Sequence, residues 1–127
     1  MPSFSDVAVS RAPVEEVWKL LYDPARFPEW WEGVETVEPS SGGYTMFPRG
    51  SPDFPMPHTL RSDGRRVVMS CLTSDLRFEW RLEPTPDDGT RIAVHVEIPE
   101  AEAHRLQTQQ AAISASLRSL AALPERG

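Results

Sequence analysis

Few side chains in this sequence could supply acid–base or metal chemistry. There are three histidines, His58, His95 and His104, and no two of them are four residues apart on one helix. Because that spacing gives no sign of a shared metal ion, no metal site is predicted. His95 shares a strand face with Arg91 and Glu97, and His104 lies near the start of a predicted helix, so both are expected at the surface.

His58 is the histidine with the better prospect of reaching a pocket. It lies beside Met56 and Leu60 in a short apolar strand segment, and Arg61 ends that segment. Imidazole has an ordinary pKa of about 6.5, which suits a general base. His58 and Arg61 are therefore the candidates for catalytic residues.

Cys71 is the single cysteine. It can form neither an internal disulfide nor a cysteine zinc cluster, which fits a reducing cytoplasm, the predicted location. Its strand segment is apolar, whereas catalytic thiols need an electropositive and partly exposed setting. A buried, inert thiol is therefore predicted. The sequence has no G-x-S-x-G nucleophile motif and no phosphate-binding glycine loop, and no cofactor is predicted.

Length and charge exclude several classes of protein. A chain of 127 residues predicts one domain spanning residues 1–127. Its 13 Lys and Arg against 19 Asp and Glu give a net charge of −6, which argues against nucleic acid as a partner. No apolar run reaches the roughly 18 residues of a membrane span, and the first residues do not resemble a signal peptide.

The elements that must position these side chains begin with a strand at Ser3–Ser10. Alternation there places Val7 and Val9 on one face and predicts a half-buried strand. A helix follows from Pro13, and Asp23-Pro24 predicts a second short helix through Phe27. Trp30 and Trp31 cannot both face inward from a regular element, so one is expected to anchor this joint and the other to lie near its edge.

Period-two patterns then predict an antiparallel meander of about six further strands. Leu76, Phe78, Trp80 and Leu82 alternate with charged residues, and Ile92, Val94, Val96 and Ile98 repeat that pattern. The remaining predicted strands are 34–37, 44–47, 56–61, which ends in the turn Ser62-Asp63-Gly64, and 65–73. Residues 48–57 are predicted to be a long loop or an irregular edge because they hold Pro48, Pro52, Pro55 and Pro57.

A long helix from Glu100 to Leu123 closes the chain. Its apolar stripe is Ala103, Leu106, Ile113, Leu117 and Leu120, interrupted by Gln110. Because an unpaired buried amide costs roughly 1–3 kcal/mol, Gln110 is expected to have either a structural partner or a place in a cavity wall. The order of elements predicts an α+β domain, with a curved antiparallel sheet of about seven strands around the C-terminal helix and two short helices after the first strand.

The segment from Ser10 to Trp31 resembles the start of START-like helix-grip proteins. Ala12 to Trp18 matches the A-P-x-x-x-V-W stretch, and Asp23 to Trp30 the D-P-x-x-x-P-x-W stretch, of the polyketide cyclase/dehydrase and lipid-transport group. The resemblance covers essentially the whole chain. It implies a cavity between the sheet and the long helix that holds a small hydrophobic or amphipathic molecule. The chain departs from the family pattern in the proline-dense segment 48–57, which is expected to rim or cover that cavity.

The residues expected to bind that molecule are Trp30, Met56, His58, Met69, Phe78, Trp80, Val94, Gln110, Ile113 and Leu117. Three functions remain open: a carrier or binding protein for a hydrophobic or aromatic molecule, a polyketide cyclase/dehydratase-like enzyme, and a co-chaperone-like interaction module. A buried, hydrogen-bonded His58 or Arg61 in the cavity would favour the enzyme. The oligomeric state is left open, a homodimer included.

Overall fold

One antiparallel sheet of seven strands forms the scaffold, in the order β1-β7-β6-β5-β4-β3-β2. The structure, a computed structural model, describes residues 2–50 and 53–126, with Arg126 described by its backbone alone. The strands are β1 (Ser3–Ser10), β2 (Val34–Ser40), β3 (Gly43–Pro48), β4 (Met56–Asp63), β5 (Arg66–Cys71), β6 (Arg77–Pro84) and β7 (Thr90–Glu97).

Two α-helices cover the sheet as the sequence predicts, and both have short 3₁₀ helices next to them. The bounds are α1 (Val14–Leu21), followed by a 3₁₀ helix at Pro24–Glu29, and α2 (Leu106–Ala122), flanked by 3₁₀ helices at Glu100–Arg105 and Leu123–Arg126. The Asp23 carboxylate accepts a hydrogen bond from the Ala25 backbone N–H at 3.1 Å and so caps the start of the first 3₁₀ helix. In the described part of the chain, no helix has the length and apolarity needed to cross a membrane.

The proline-dense segment is less irregular than the sequence predicts. Pro48 ends β3 and Pro57 lies inside β4, where it is paired with Thr45. The connecting loop is therefore shorter than 48–57. Pro52 lies outside the described residues.

The inner face of the sheet is apolar where the alternation predicts it. Phe78, Trp80 and Leu82 of β6 are buried, and so are the alternate residues of β7. On β1 the predicted half-buried strand is confirmed, and its exposed face is the one with Val7 and Val9, which are 44% and 62% exposed. The opposite face of β1 turns inward because polar groups on it bond to α2. Ser114 donates to the Asp6 carboxylate at 2.7 Å, and the buried Ser10 hydroxyl donates to a carbonyl of α2 at 2.6 Å.

Trp30 anchors the short helices to the sheet. It is 3% exposed, and its ring packs edge-to-face on Trp80 at a centroid distance of 5.3 Å. Its indole N–H donates to the carbonyl of Leu20 at 2.9 Å. In a continuing helix that carbonyl would accept from residue 24, but Pro24 has no N–H. The indole N–H of Trp30 therefore pairs with the Leu20 carbonyl, which has no hydrogen-bond donor from the helix.

The outer face of the sheet has a charge cluster centred on Glu79. Its carboxylate contacts Arg66 at 3.0 Å, Arg77 at 3.3 Å and Arg81 at 2.6 Å. Hydrogen bonding from Arg66 lowers the pKa of Glu79 to about 2, against the opposing effect of burial and with further help from Arg81. The carboxylate is therefore held in its charged form by the fold.

Glu79→Gln is expected to lower the free energy of unfolding at pH 7 by about 1 kcal/mol, since the three arginines are all more than a third exposed and solvent screens the pairs. The native pKa of Glu79 is lowered, so this stabilisation is present above the ordinary pKa of about 4.5 and is lost as pH falls toward about 2.

Urea unfolding between pH 7 and pH 2 measures this stabilisation. Glu83→Gln on the same strand is the control, because Glu83 makes no ion pair with a described residue. A difference between wild type and Glu79→Gln that does not change with pH would contradict this account.

Candidate ligand pocket

A pocket of about 270 Å³ lies between the sheet, the 3₁₀ helix Pro24–Glu29 and the N-terminal half of α2. The strands and the segments beside them supply most of its wall, and α2 with the residue before it closes the other side. The lining residues are Phe27, Trp31, Glu32, Gly33, Val34, Tyr44, Met46, Pro48, Met56, His58, Cys71, Ser74, Leu76, Phe78, Arg105, Thr108, Gln109 and Ala112.

Aromatic rings form much of this wall. Phe27 meets Tyr44 edge-to-face at 5.1 Å, and Trp31 meets Phe78 edge-to-face at 5.3 Å. Phe27 and Trp31 are themselves in contact, at 5.4 Å. Rings held by one another in this way keep a fixed shape, and their faces suit a flat apolar ligand. Trp31 is thus the tryptophan at the pocket, while Trp30 is the anchor behind it.

Three polar side chains form a row across the pocket wall. Tyr44 of β3 is directly opposite His58 of β4, and His58 is directly opposite Cys71 of β5. The rings of Tyr44 and His58 stack at 4.8 Å with an angle of 8° between their planes. Gly43 permits this close pairing, since a Cβ there would overlap the carbonyl oxygen of His58.

A backbone carbonyl fixes the proton position on His58. The imidazole is 7% exposed, and Nδ1 lies 2.9 Å from the carbonyl oxygen of Met56. A carbonyl oxygen can only accept, so Nδ1 carries the hydrogen. In the neutral ring the lone pair is therefore on Nε2, the nitrogen that remains for proton transfer.

Cys71 is buried, as predicted, but its surroundings are not apolar. It is 2% exposed, and its sulfur lies 3.3 Å from the Thr73 hydroxyl. Burial raises the pKa of the thiol. Hydrogen bonding from His58, Ser74 and Thr73 lowers it by a larger amount, so the pKa falls from 9.0 to about 6. The setting is therefore more polar than the apolar strand segment predicts, because polar residues opposite and after Cys71 lie beside it. Burial, helped by the charge of Cys71, raises the pKa of the Tyr44 phenol.

Charged residues lie at the edge of the pocket. Glu32 is exposed and lies 4.0 Å from Arg49, which also contacts Glu35 at 3.5 Å. Arg105 contributes a guanidinium to the lining and makes no ion pair within the described residues. A polar atom on a bound molecule could therefore meet a cation at this edge.

The structure brings together only part of the predicted site. Met56, His58 and Phe78 line the pocket. Six others are buried in the core and are not among its lining residues, namely Trp30, Met69, Trp80, Val94, Ile113 and Leu117. Gln110 and Arg61 are exposed, which corrects the inward orientation expected of the first and the catalytic candidacy of the second.

The prediction for Gln110 is wrong because the pocket faces a different side of α2 from the apolar stripe. Gln110 lies close to the angle of Leu117, whereas Thr108 and Ala112, which line the pocket, are each about 160° away around the helix. The residues that face the pocket from this side are Arg105, Thr108, Gln109 and Ala112, and their polar character gave no signal of an inward position. His95 and His104 behave as expected of surface residues. His95 Nδ1 lies 2.7 Å from the Ser5 hydroxyl, and His104 Nε2 lies 3.7 Å from Glu102.

Comparison with known proteins identifies the family to which this chain belongs. Residues 1–125 match the family model described as polyketide cyclase / dehydrase and lipid transport, and the chain belongs to that family. No curated protein matches the chain.

Solved structures share the helix-grip fold at low sequence identity. A START superfamily protein from Mycobacterium smegmatis is 10% identical with a TM-score of 0.75, covering 98% of this chain and 97% of that one. XoxI from Bacillus cereus is 11% identical with a TM-score of 0.79, covering 97% and 95%. The di-domain aromatase/cyclase BexL from the BE-7585A biosynthetic pathway is 15% identical with a TM-score of 0.79, covering 95% of this chain and 45% of that one.

Proposed function

We propose that this protein binds a compact hydrophobic or aromatic molecule in the pocket between the sheet and α2, as a carrier or binding protein. The aromatic-walled pocket carries the proposal, and membership of a family described by lipid transport and polyketide cyclisation supports it. A volume of about 270 Å³ is at the lower end of ligand sites, which span roughly 300–1,000 Å³. A ligand of one or two fused rings fits that space better than an extended lipid.

Burial supplies most of the binding free energy in such a site. Each Å² of apolar surface removed from water contributes about 25 cal/mol before the cost of association is subtracted. The aromatic lining then favours a flat molecule over a branched one. We further propose a cytoplasmic location, which the free thiol of Cys71 supports.

A second candidate is a cyclase/dehydratase-like enzyme acting in the same pocket. The observation that favours it is the buried His58, whose Nδ1–H bond to Met56 leaves Nε2 available as a base. The similarity to BexL supports this candidate at the level of the fold. Both candidates require the same ligand pocket.

Methionine methyl groups provide a direct test of the pocket. Met46 and Met56 line it and are paired with each other across β3 and β4. Met69 is 0% exposed in the core and is not among the lining residues, so it serves as an internal control. Titration of ¹³C-methyl-methionine protein with 2-naphthol is expected to shift the Met46 and Met56 signals saturably and to leave Met69 nearly unchanged.

Decanoate is the matched probe for an extended chain. We expect it to shift the same two signals less, or only at higher concentration, because of the pocket's size and flat walls. If neither probe moves Met46 or Met56 up to its solubility limit, the proposed function is wrong. Equal shifts of all three methionines would also contradict it, because they would indicate a general change in the fold.

A further inference from the structure

We propose that Cys71 and His58 form a nucleophilic pair that captures a compact α,β-unsaturated carbonyl compound covalently in this pocket. The inference rests on the proposed function, since the compound must first bind, and it names the chemical class of the ligand. The thiol supplies the nucleophile and the imidazole handles its proton.

The sheet register brings the two side chains together. His58 and Cys71 are directly opposite each other on antiparallel strands and share the inner face, where facing Cβ atoms are about 4.5–5.5 Å apart. Both line the pocket. The carbonyl of Met56 holds the Nδ1 proton, so Nε2 is the nitrogen that exchanges a proton with the thiol. This arrangement of nucleophile, base and orienting group is the one that activates cysteine in enzymes.

Two further polar groups surround the sulfur. The Thr73 hydroxyl lies 3.3 Å away, and hydrogen bonding from Ser74 also lowers the pKa of Cys71. The buried Ser74 hydroxyl makes no conventional hydrogen bond within the described part of the chain, although it lines the pocket. That hydroxyl has one hydrogen, which the sulfur accepts when the thiol is deprotonated, and the lone pairs of its oxygen have no partner within the described residues.

The pocket walls select the kind of electrophile. A thiolate is a soft nucleophile and adds readily to the polarised carbon–carbon double bond of a conjugated ketone. A flat conjugated system suits a pocket lined by Phe27, Trp31, Tyr44 and Phe78, and Arg105 in the same lining supplies a cation for its oxygen. A saturated apolar ligand of the same shape would bind without reacting.

The addition step balances without a cofactor. Cys71 gives its proton to Nε2 of His58, and the thiolate forms a bond to the β-carbon of the unsaturated ketone. The π pair of the carbon–carbon double bond moves toward the carbonyl oxygen to give an enolate. The imidazolium then returns the proton to the α-carbon, so the adduct contains all atoms of the protein and the ligand.

Intact-protein mass spectrometry tests the capture with benzylideneacetone, a compact aromatic enone, followed by borohydride reduction to prevent reversal. Wild type is expected to gain the mass of one reduced adduct, and Cys71→Ser none, since the chain has no other cysteine.

The saturated analogue 4-phenyl-2-butanone is the control: it forms no adduct but shifts the Met46 and Met56 signals. If these signals shift and the folded protein forms no adduct although the unfolded protein does, covalent capture is wrong and binding stands. If the saturated analogue, 2-naphthol and decanoate all leave these signals unchanged, the proposed function fails.

The pH dependence of alkylation by iodoacetamide tests the role of His58. The wild-type rate is expected to be half-maximal near pH 6, and His58→Gln to move that midpoint up toward the ordinary thiol value of about 8.5. Ser74→Ala is a milder variant that preserves the strand pairing, and it is expected to move the midpoint in the same direction by less. A midpoint near 8.5 in wild type, unchanged in both variants, would overturn the pairing of Cys71 with His58.

Discussion

Replacing Trp30 by alanine is expected to lower the free energy of unfolding by about 3–5 kcal/mol, the range typical for a large aromatic removed from a core. The side chain is 3% exposed and packs against Phe27, Trp31 and Trp80. Its loss also leaves the Leu20 carbonyl without its donor. Urea unfolding followed by far-UV circular dichroism measures the change.

Two substitutions separate packing from hydrogen bonding. Trp30→Phe keeps a ring but removes the N–H, so a loss of about 1 kcal/mol from the hydrogen bond is expected, with any loss of fit added to it. Trp18→Ala is the matched control, because Trp18 is only partly buried and stacks on the exposed Tyr22 at 5.8 Å. Its expected cost is about 1 kcal/mol or less. A loss for Trp30→Ala no larger than that for Trp18→Ala would show that Trp30 does not anchor the short helices.

The sequence predicts the scaffold well because most helices and strands have one solvent-exposed face and one buried face, which produces a periodic pattern of polar and apolar residues. The alternation in β6 and β7 is strict, so their inner residues follow from the pattern alone. On β1 the alternation predicts a half-buried strand but not which face is buried: the valines face solvent, and Asp6 and Ser10 turn inward. Apolarity could not identify that face, because its polar groups are satisfied by partners on α2, more than 100 residues away in sequence.

The position of His58 opposite Cys71 depends on the register of β4 and β5, which one turn sets. The turn at Asp63-Gly64 pairs Asp63 with Arg66, and that register places His58 opposite Cys71. A slip of one residue would turn either side chain to the other face. The chemistry of the thiol could not be predicted in the same way, because Ser74 and Thr73 reach the sulfur only through the turn after β5.

The pocket itself depends on the space between elements, which no periodic pattern contains. Several core residues were expected to bind the ligand because they face inward. They fill the core, and among the described residues the candidate pocket lies at the end of the sheet nearest the start of α2. Small and polar residues of α2 therefore line the pocket, whereas the large apolar residues of the helix pack where no cavity remains.

Ala112 offers the strongest test of binding at this place. Ala112 lines the pocket, whereas its neighbour Ala111 is exposed on the solvent side of α2. Ala112→Trp places an indole in the space that the ligand needs, so the Kd for 2-naphthol is expected to rise at least about tenfold, or about 1.4 kcal/mol. Ala111→Trp adds the same ring to the same helix outside the pocket and is expected to change the Kd less than about threefold.

Ala112→Leu provides a smaller substitution for the case that the indole disturbs the fold. Its expected Kd for 2-naphthol lies between the values for wild type and Ala112→Trp. Titration calorimetry of 2-naphthol into wild type, Ala111→Trp, Ala112→Leu and Ala112→Trp, each checked for native circular dichroism, is the measurement that bears most directly on the pocket. We expect one-to-one binding that weakens in the order wild type, Ala112→Leu, Ala112→Trp, with Ala111→Trp close to wild type. Equal affinity for folded Ala112→Leu, Ala111→Trp and wild type would place the ligand elsewhere and contradict the pocket assignment.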